Sequence, residues 1–242
     1  MGRKWNNIKY GKASKDAAKG KVYGRFGKEI YMAAKNGEPD VEMNRNLAGI
    51  VDRAKVAGVP RDIIDRAISK AKSGVDENYE PIRYEGYGPS GSAIIVDALT
   101  DNVNRTVAEV RNVFKKNGGN LGVSGAVAFM FEPIALFVFV KADEESVLEG
   151  LMEAEVDVRD VEENDGEISV LADGEQFHAV QVALTAMEIT EFEFADLTML
   201  PTSTNSLDGE DLEKFLKLIN LLEELDDVTN VYHNVELVDE EE

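Results

Sequence analysis

Residues 134–140 read IALFVFV, an unbroken apolar run. A run of this length suits a buried strand and is far too short to span a bilayer. The next sixty residues narrow the fold. Residues 143–154 predict a helix with an acidic outer face, and VDVRDVE (156–162) predicts a strand. Asn164-Asp165-Gly166 is a hairpin signal ahead of EISVLA (167–172). A helix over about 174–186 and a strand or two in TEFEFADLTML (190–200) complete the order β-α-β-β-α-β, which is ferredoxin-like.

The flanking segments show a second set of alternating elements. A short edge strand at about 82–86 precedes SAIIVDAL (92–99), which predicts a strand. Asn102 or Asn104 can cap a helix running through Lys116, with Val107, Val110, Val113 and Phe114 inward and Gly118-Gly119 at its end. GAVAFMF (125–131) predicts the next strand. Far downstream, Leu212, Phe215, Leu216, Ile219 and Leu222 stripe a helix from about Asp208 to Leu225, and DVTNVYHNVEL (227–237) predicts a strand. This tail completes the β-α-β left open at residue 131, with part of 195–200 as the missing strand.

Ahead of both lie three helices. The first runs from Ser14 or Asp16 to about Lys35, with Val22, Phe26, Ile30 and Ala33 on one face and Lys21, Arg25, Lys28 and Lys35 roughly opposite. The second, about 43–57, turns Met43, Leu47, Ile50, Val51, Ala54 and Ala57 inward; Pro60 then suits the first turn of a third, about 60–72. The expected fold class is therefore α+β: an N-terminal three-helix domain (1–75) and two ferredoxin-like α/β domains, one (133–200) inserted into the other (76–132 with 201–242).

Charge is distributed unevenly over this plan. Residues 1–75 carry 17 Lys and Arg against 8 Asp and Glu, whereas the remainder carries 9 against 39. A basic end on an acidic chain points to a polyanion met at that end, since the acidic part repels nucleic acid. The cluster is Arg3, Lys4, Trp5, Asn6, Asn7, Lys9, Lys12, Lys15, Lys19, Lys21, Arg25 and Lys28. Its cations suit phosphates, its asparagines suit phosphate or sugar, and its indole can stack on a base or anchor the core. Asn102, Asn104, Arg105 and Thr106 form a second polar patch at a helix N-terminus, where anions are favoured and where simple capping is the alternative.

Other chemistries find little footing. There is no cysteine, hence no disulfide, thiolate metal site or cysteine nucleophile, which fits a reducing compartment. His178 and His233 fall on different expected elements without metal-ligand spacing. GYGPSG (86–91) matches G-x-G-x-x-G, but it precedes a strand instead of opening a helix, so a tight turn is expected there. No apolar leader precedes the basic start, so Asn104-Arg105-Thr106 lacks the secretory setting of a glycosylation site. The expectation is a cytoplasmic, non-enzymatic protein without metal, cofactor, small-molecule ligand or membrane partner, and with nucleic acid as its partner.

Several segments carry a family resemblance. GRKWNNIK at the start, KDAAKGKVYGRFGKEI, RYEGYGPSGSAIIVDALTDNVNRTVAEVR, KKNGGNLGVSGAVAFMF and VYHNV together resemble the YebC/YeeN family, whose relatives include a mitochondrial translational activator of cytochrome c oxidase. GRKW in place of GHSKW is closest to the YeeN branch. The resemblance spans essentially the whole chain. It implies an N-terminal helical domain and two α/β domains around a cleft, and a non-enzymatic role in gene expression. It leaves two targets open: DNA, as a transcriptional regulator, or ribosomal RNA and the ribosome, as a factor assisting elongation through proline runs.

Overall fold

The structure, a computed structural model, describes residues 15–74, 77–140 and 142–237. They group into two compact units. The first comprises Glu29–Gly74 and Pro133–Leu200; the second comprises 15–28, 77–132 and 201–237. Helix α1 (Lys15–Lys35) contributes to both, its residues up to Lys28 to the second and those from Glu29 to the first.

In the first unit, α1 is succeeded by α2 (Arg45–Val56) and α3 (Arg61–Lys72). Asn44 caps α2 by accepting the Leu47 N–H at 3.0 Å, while its amide donates to the Ala33 and Glu38 carbonyls. That cap begins the helix after Met43, so Met43, expected in the core, stands 75% exposed in the preceding turn. Leu47, Val51, Ala54, Ile64 and Ala67 are buried as their spacing predicts.

The same unit holds β4 (Phe131–Val140), α5 (Glu144–Glu153), β5 (Asp160–Asn164), β6 (Glu167–Asp173), α6 (Phe177–Ala186) and β7 (Phe194–Pro201). Sheet order is β5-β6-β4-β7, the ferredoxin-like arrangement. The two-residue loop Asp165-Gly166 has φ of 52° and 81°, as a primed hairpin turn requires, and sets Asn164 opposite Glu167. β4 is central, antiparallel to β6 from Ile134↔Asp173 to Val140↔Glu167. Its odd-numbered residues Ala135, Phe137 and Phe139 join the core formed with both helices. Phe137 stacks on Phe177 at 4.6 Å, and Phe192 meets Phe137 and Phe139 edge-on. Val56 of α2 packs on this same core. Arg53, one turn earlier, donates to Asp196 of β7 at 2.7 Å and pairs with Glu29 at 3.4 Å.

In the second unit, β1 (Glu80–Tyr87), β2 (Ala93–Thr100), α4 (Val103–Lys116) and β3 (Asn120–Leu121) come before the first unit's strands. After them come β8 (Asn205–Ser206), α7 (Gly209–Glu223), β9 (Val228–His233) and β10 (Val235–Glu236). The sheet runs β3-β1-β2-β9, with β8 and β10 a separate parallel pair. One sheet's strands are thus inserted in the chain between those of the other, as expected.

Three details depart from the sequence reading. β1 is eight residues long instead of about five, paired with β2 throughout and with β3 on its other side at Gly86 and Tyr87. Residues 194–201 belong wholly to the β5-β6-β4-β7 sheet and supply no strand to this one. GAVAFMF is bend and 3-10 turn up to Met130, with only Phe131 extended. GYGPSG is the expected turn, joining β1 to β2 through a bond from the Gly88 N–H to the Ser92 carbonyl at 2.8 Å. Asn234, in the VYHNV segment, is buried and accepts the Ala93 N–H at 2.8 Å, while its carbonyl accepts from Asn205 at 2.7 Å.

Gly86 on β1 leaves no room for a side chain. A Cβ there would lie 2.7 Å from Phe114 Cε1 and 2.8 Å from the Asn120 carbonyl oxygen. Gly86→Ala should therefore cost about 1–3 kcal/mol by overpacking. Urea unfolding checks this, with a lowered midpoint at an unchanged m-value expected.

Candidate nucleic-acid interface

Arg3, Lys4, Trp5, Asn6, Asn7, Lys9 and Lys12 lie outside the described residues, as does the side chain of Lys15 at the first position of α1. Lys19 and Lys21 are exposed on α1; Arg25 and Lys28 are half-buried. Positions 21, 25 and 28 share one face of the helix, and the structure turns that face onto the acidic turn after α7. Arg25 donates to the Asn230 side chain at 3.1 Å and lies 4.5 Å from the Phe26 ring centre. Lys28 donates to the Asp226 carbonyl at 3.2 Å and sits over the Tyr79 ring at 5.5 Å. Although much of Lys21 is exposed, desolvation of its amine lowers its pKa, opposed by the charges of Glu223, Glu224 and Asp226. Cations near a helix C-terminus also meet the negative end of its dipole. This stretch of the basic cluster is thus matched to acceptors of its own unit.

The second polar patch is brought together around a buried carboxylate. Asn102 caps α4, accepting the Arg105 N–H at 3.1 Å. Thr106 and Thr100 donate to Asp227 at 2.8 and 2.9 Å, and Arg105 bridges Asp227 at 2.6 Å and Asp101 at 2.9 Å. Burial works to raise the Asp227 pKa, but the bonds from Arg105, Thr106 and Thr100 hold it below the usual carboxylate range. The patch locks α4, β2 and the turn before β9 to one another. Asn104 is exposed on the first turn of α4.

A second buried carboxylate gave no sequence signal. Glu85, on β1, is 4% exposed and accepts the N–H groups of Gly125, Val127 and Ala128, each at 2.8 Å. Burial would raise its pKa; the three backbone donors overcome this and lower it. Those N–H groups are committed to Glu85, so they cannot build a strand ladder, which is why GAVAFMF is a loop. Tyr87 adds a bond from its hydroxyl to the Ala126 carbonyl at 2.8 Å. Glu85 lies on the face of β1 opposite Ile82 and Tyr84, in a strand that also carries Glu80 and Arg83, so nothing in the sequence set it apart. Around this loop lie exposed Lys115, Lys116, Val123 and Phe129.

The histidines stay apart from these groups. His178 is exposed on α6. His233 packs edge-on against Phe215 at 5.0 Å, with its Nδ1 shut off from water, and burial lowers its pKa to about 4. Among the described residues no group of His, Asp and Glu could hold a metal ion, and no helix is long and apolar enough to cross a membrane.

An N-terminal helical segment and, after it, two antiparallel α/β sheets, one nested within the other in sequence, define a recognisable class. The chain belongs to the TACO1/YebC family: residues 3–74 match the family's N-terminal domain, and residues 79–235 match its second and third domain. It is similar in structure to a conserved hypothetical protein from Aquifex aeolicus, at 38% identity and a TM-score of 0.80 over 95% of each chain.

The buried titratable groups make two outcomes testable. Glu85→Gln puts an amide against backbone donors and removes a charge-assisted set of bonds, a loss of about 1.5–3 kcal/mol. Amide hydrogen exchange at Gly125, Val127 and Ala128 should accelerate in that variant more than exchange in β4. His233 and Glu223 have opposite pH dependences. Between its folded value of about 4 and its ordinary 6.5, His233 takes a proton only on unfolding, so it destabilises the fold as pH falls through that window. Burial raises Glu223 to about 7, partly offset by Lys21; from 4.5 to about 7 the folded state holds a proton that the unfolded chain releases, so stability is lost as pH rises. Relative to wild type, His233→Gln should gain stability toward acid pH and Glu223→Gln toward neutral pH, read from urea midpoints across the range.

Proposed function

We propose that the protein is a non-enzymatic, nucleic-acid-binding regulator of gene expression, a transcription regulator that binds DNA through its basic N-terminal helical segment. The observation that carries this reading is the concentration of 17 basic against 8 acidic side chains in residues 1–75 of a chain whose net charge is −21. Membership of the TACO1/YebC family supports it. The binding surface comprises Arg3, Lys4, Trp5, Asn6, Asn7, Lys9, Lys12, Lys15 and Lys19, with Lys21, Arg25 and Lys28 orienting α1 on the second unit. The functional division is into 1–75, 76–132 with 201–242, and 133–200. It acts in the cytoplasm and without a cofactor.

A second reading, a ribosome-associated translation factor that binds ribosomal RNA and assists elongation, is favoured by one observation on α3. Its first turns carry Asp62 and Asp65, and Arg66 and Arg61 are tied to them at 2.6 and 3.5 Å. A helix so arranged is poorly equipped to read bases in a major groove. RNA is recognised instead through phosphates, 2′-hydroxyls and stacked loop bases.

Reversing charge at Lys9, Lys12 and Lys15 to Glu should abolish binding and flatten its salt dependence, by about one unit of log–log slope for each phosphate no longer neutralised. Unchanged affinity would remove the site from the N-terminal segment. Co-sedimentation with ribosomes in the presence of excess duplex DNA separates the two targets. Salt-sensitive co-migration that survives the competitor is the translation-factor outcome, and retention on DNA alone is the transcription-factor outcome.

A further inference from the structure

One stretch of the second unit breaks the acidic character of its sequence. Residues 110–131 contain no Asp or Glu, the longest such stretch in the chain, and hold Arg111, Lys115 and Lys116. The last two are exposed in the final turn of α4. Past them, Val123 is 78% exposed and Phe129 75%. Among the described residues Phe129 is the one phenylalanine left in solvent.

This exposure sits on a fixed backbone. Val127 and Ala128, just before Phe129, donate to Glu85, and the Met130 carbonyl just after it accepts from the Thr202 N–H at 2.9 Å and its hydroxyl at 3.1 Å. Tyr87 ties the lysine-bearing side to the aromatic side: it pairs with Asn120 in the sheet, and its hydroxyl reaches the Ala126 carbonyl. Holding a large apolar ring in water on an ordered loop has no folding benefit. It does reduce the ordering cost of docking, because little backbone freedom remains to be lost.

Charge selects the occupant. An apolar protein partner would need no lysines in the acid-free segment between Glu109 and Glu132, whereas single-stranded nucleic acid combines a stacking face with flanking phosphates. We propose that the 115–130 loop is a stacking platform for unpaired nucleotides, with Phe129 under a base and Lys115 and Lys116 on adjacent phosphates. This rests on the nucleic-acid reading above and adds a second contact, selective for single strands and distinct from the basic N-terminal segment. The chemistry is shared by single-stranded RNA and locally opened DNA.

The test is fluorescence anisotropy with the full-length protein, using labelled oligoadenylate, as RNA and as DNA, and a duplex of equal length. Phe129→Ala should weaken oligoadenylate binding about tenfold, the loss expected for one stacked base, and leave duplex binding nearly unchanged. Phe129→Trp should retain it. Lys115→Glu with Lys116→Glu should weaken it and shallow its salt slope. Because all three positions are solvent-exposed, a matching urea midpoint confirms that each variant folds. Equal oligoadenylate affinity for wild type and Phe129→Ala overturns the platform while leaving the N-terminal site standing. Wild-type protein that binds none of the three probes overturns the nucleic-acid reading itself, and the platform with it.

Discussion

A carboxylate taken out of water has to be met by donors, and in the second unit Glu85 is met entirely by backbone. Three N–H groups from residues 125–128 converge on it, so the segment that could have extended the sheet folds back along β1 as a loop. On the same stretch, β3 pairs with β1, Gly86 approaches Phe114 closely and Phe129 stands outward. An apolar residue at 85 would leave the same N–H groups to find a strand partner or water.

Asp227 works differently. Its donors are side chains, Thr100, Thr106 and Arg105, drawn from β2 and the first turn of α4. The network fixes the start of α4 against the sheet, and Asn102 completes it by capping the helix. Residues that suggested an anion site by their chemistry are therefore satisfied by an anion of the protein itself. Lys21, Arg25 and Lys28 behave similarly, meeting the carbonyls and carboxylates around 223–230. In an acidic chain, cations placed near its own carboxylates gain a partner without ordering anything foreign.

Much of the architecture was legible beforehand because it rests on local rules. The helix bounds at Lys35, Val56 and Lys72 obey apolar spacing and stop signals, and Asp165-Gly166 demanded the hairpin that is found. The ferredoxin-like order of 133–200 came from the succession of those elements. The features that escaped were pairings. GAVAFMF has a strand's composition, β1 looked like a short edge strand, and 195–200 could have served either sheet. Nothing within seven residues distinguishes an N–H bound for a neighbouring strand from one bound for a carboxylate 40 positions away.

The candidate site divides along the same line. By itself, the sequence determined that positive charge is concentrated in the first 75 residues, that three helices precede two sets of strands, and that the chain carries the segments of its family, since these depend only on residue identity and spacing. The tertiary structure decided which cations are matched internally, that Asn102, Arg105 and Thr106 serve Asp227, and that Phe129 stands in solvent. Those outcomes depend on which groups long-range packing brings within hydrogen-bond reach, and the cost of burying a charge without partners determines which arrangement is kept.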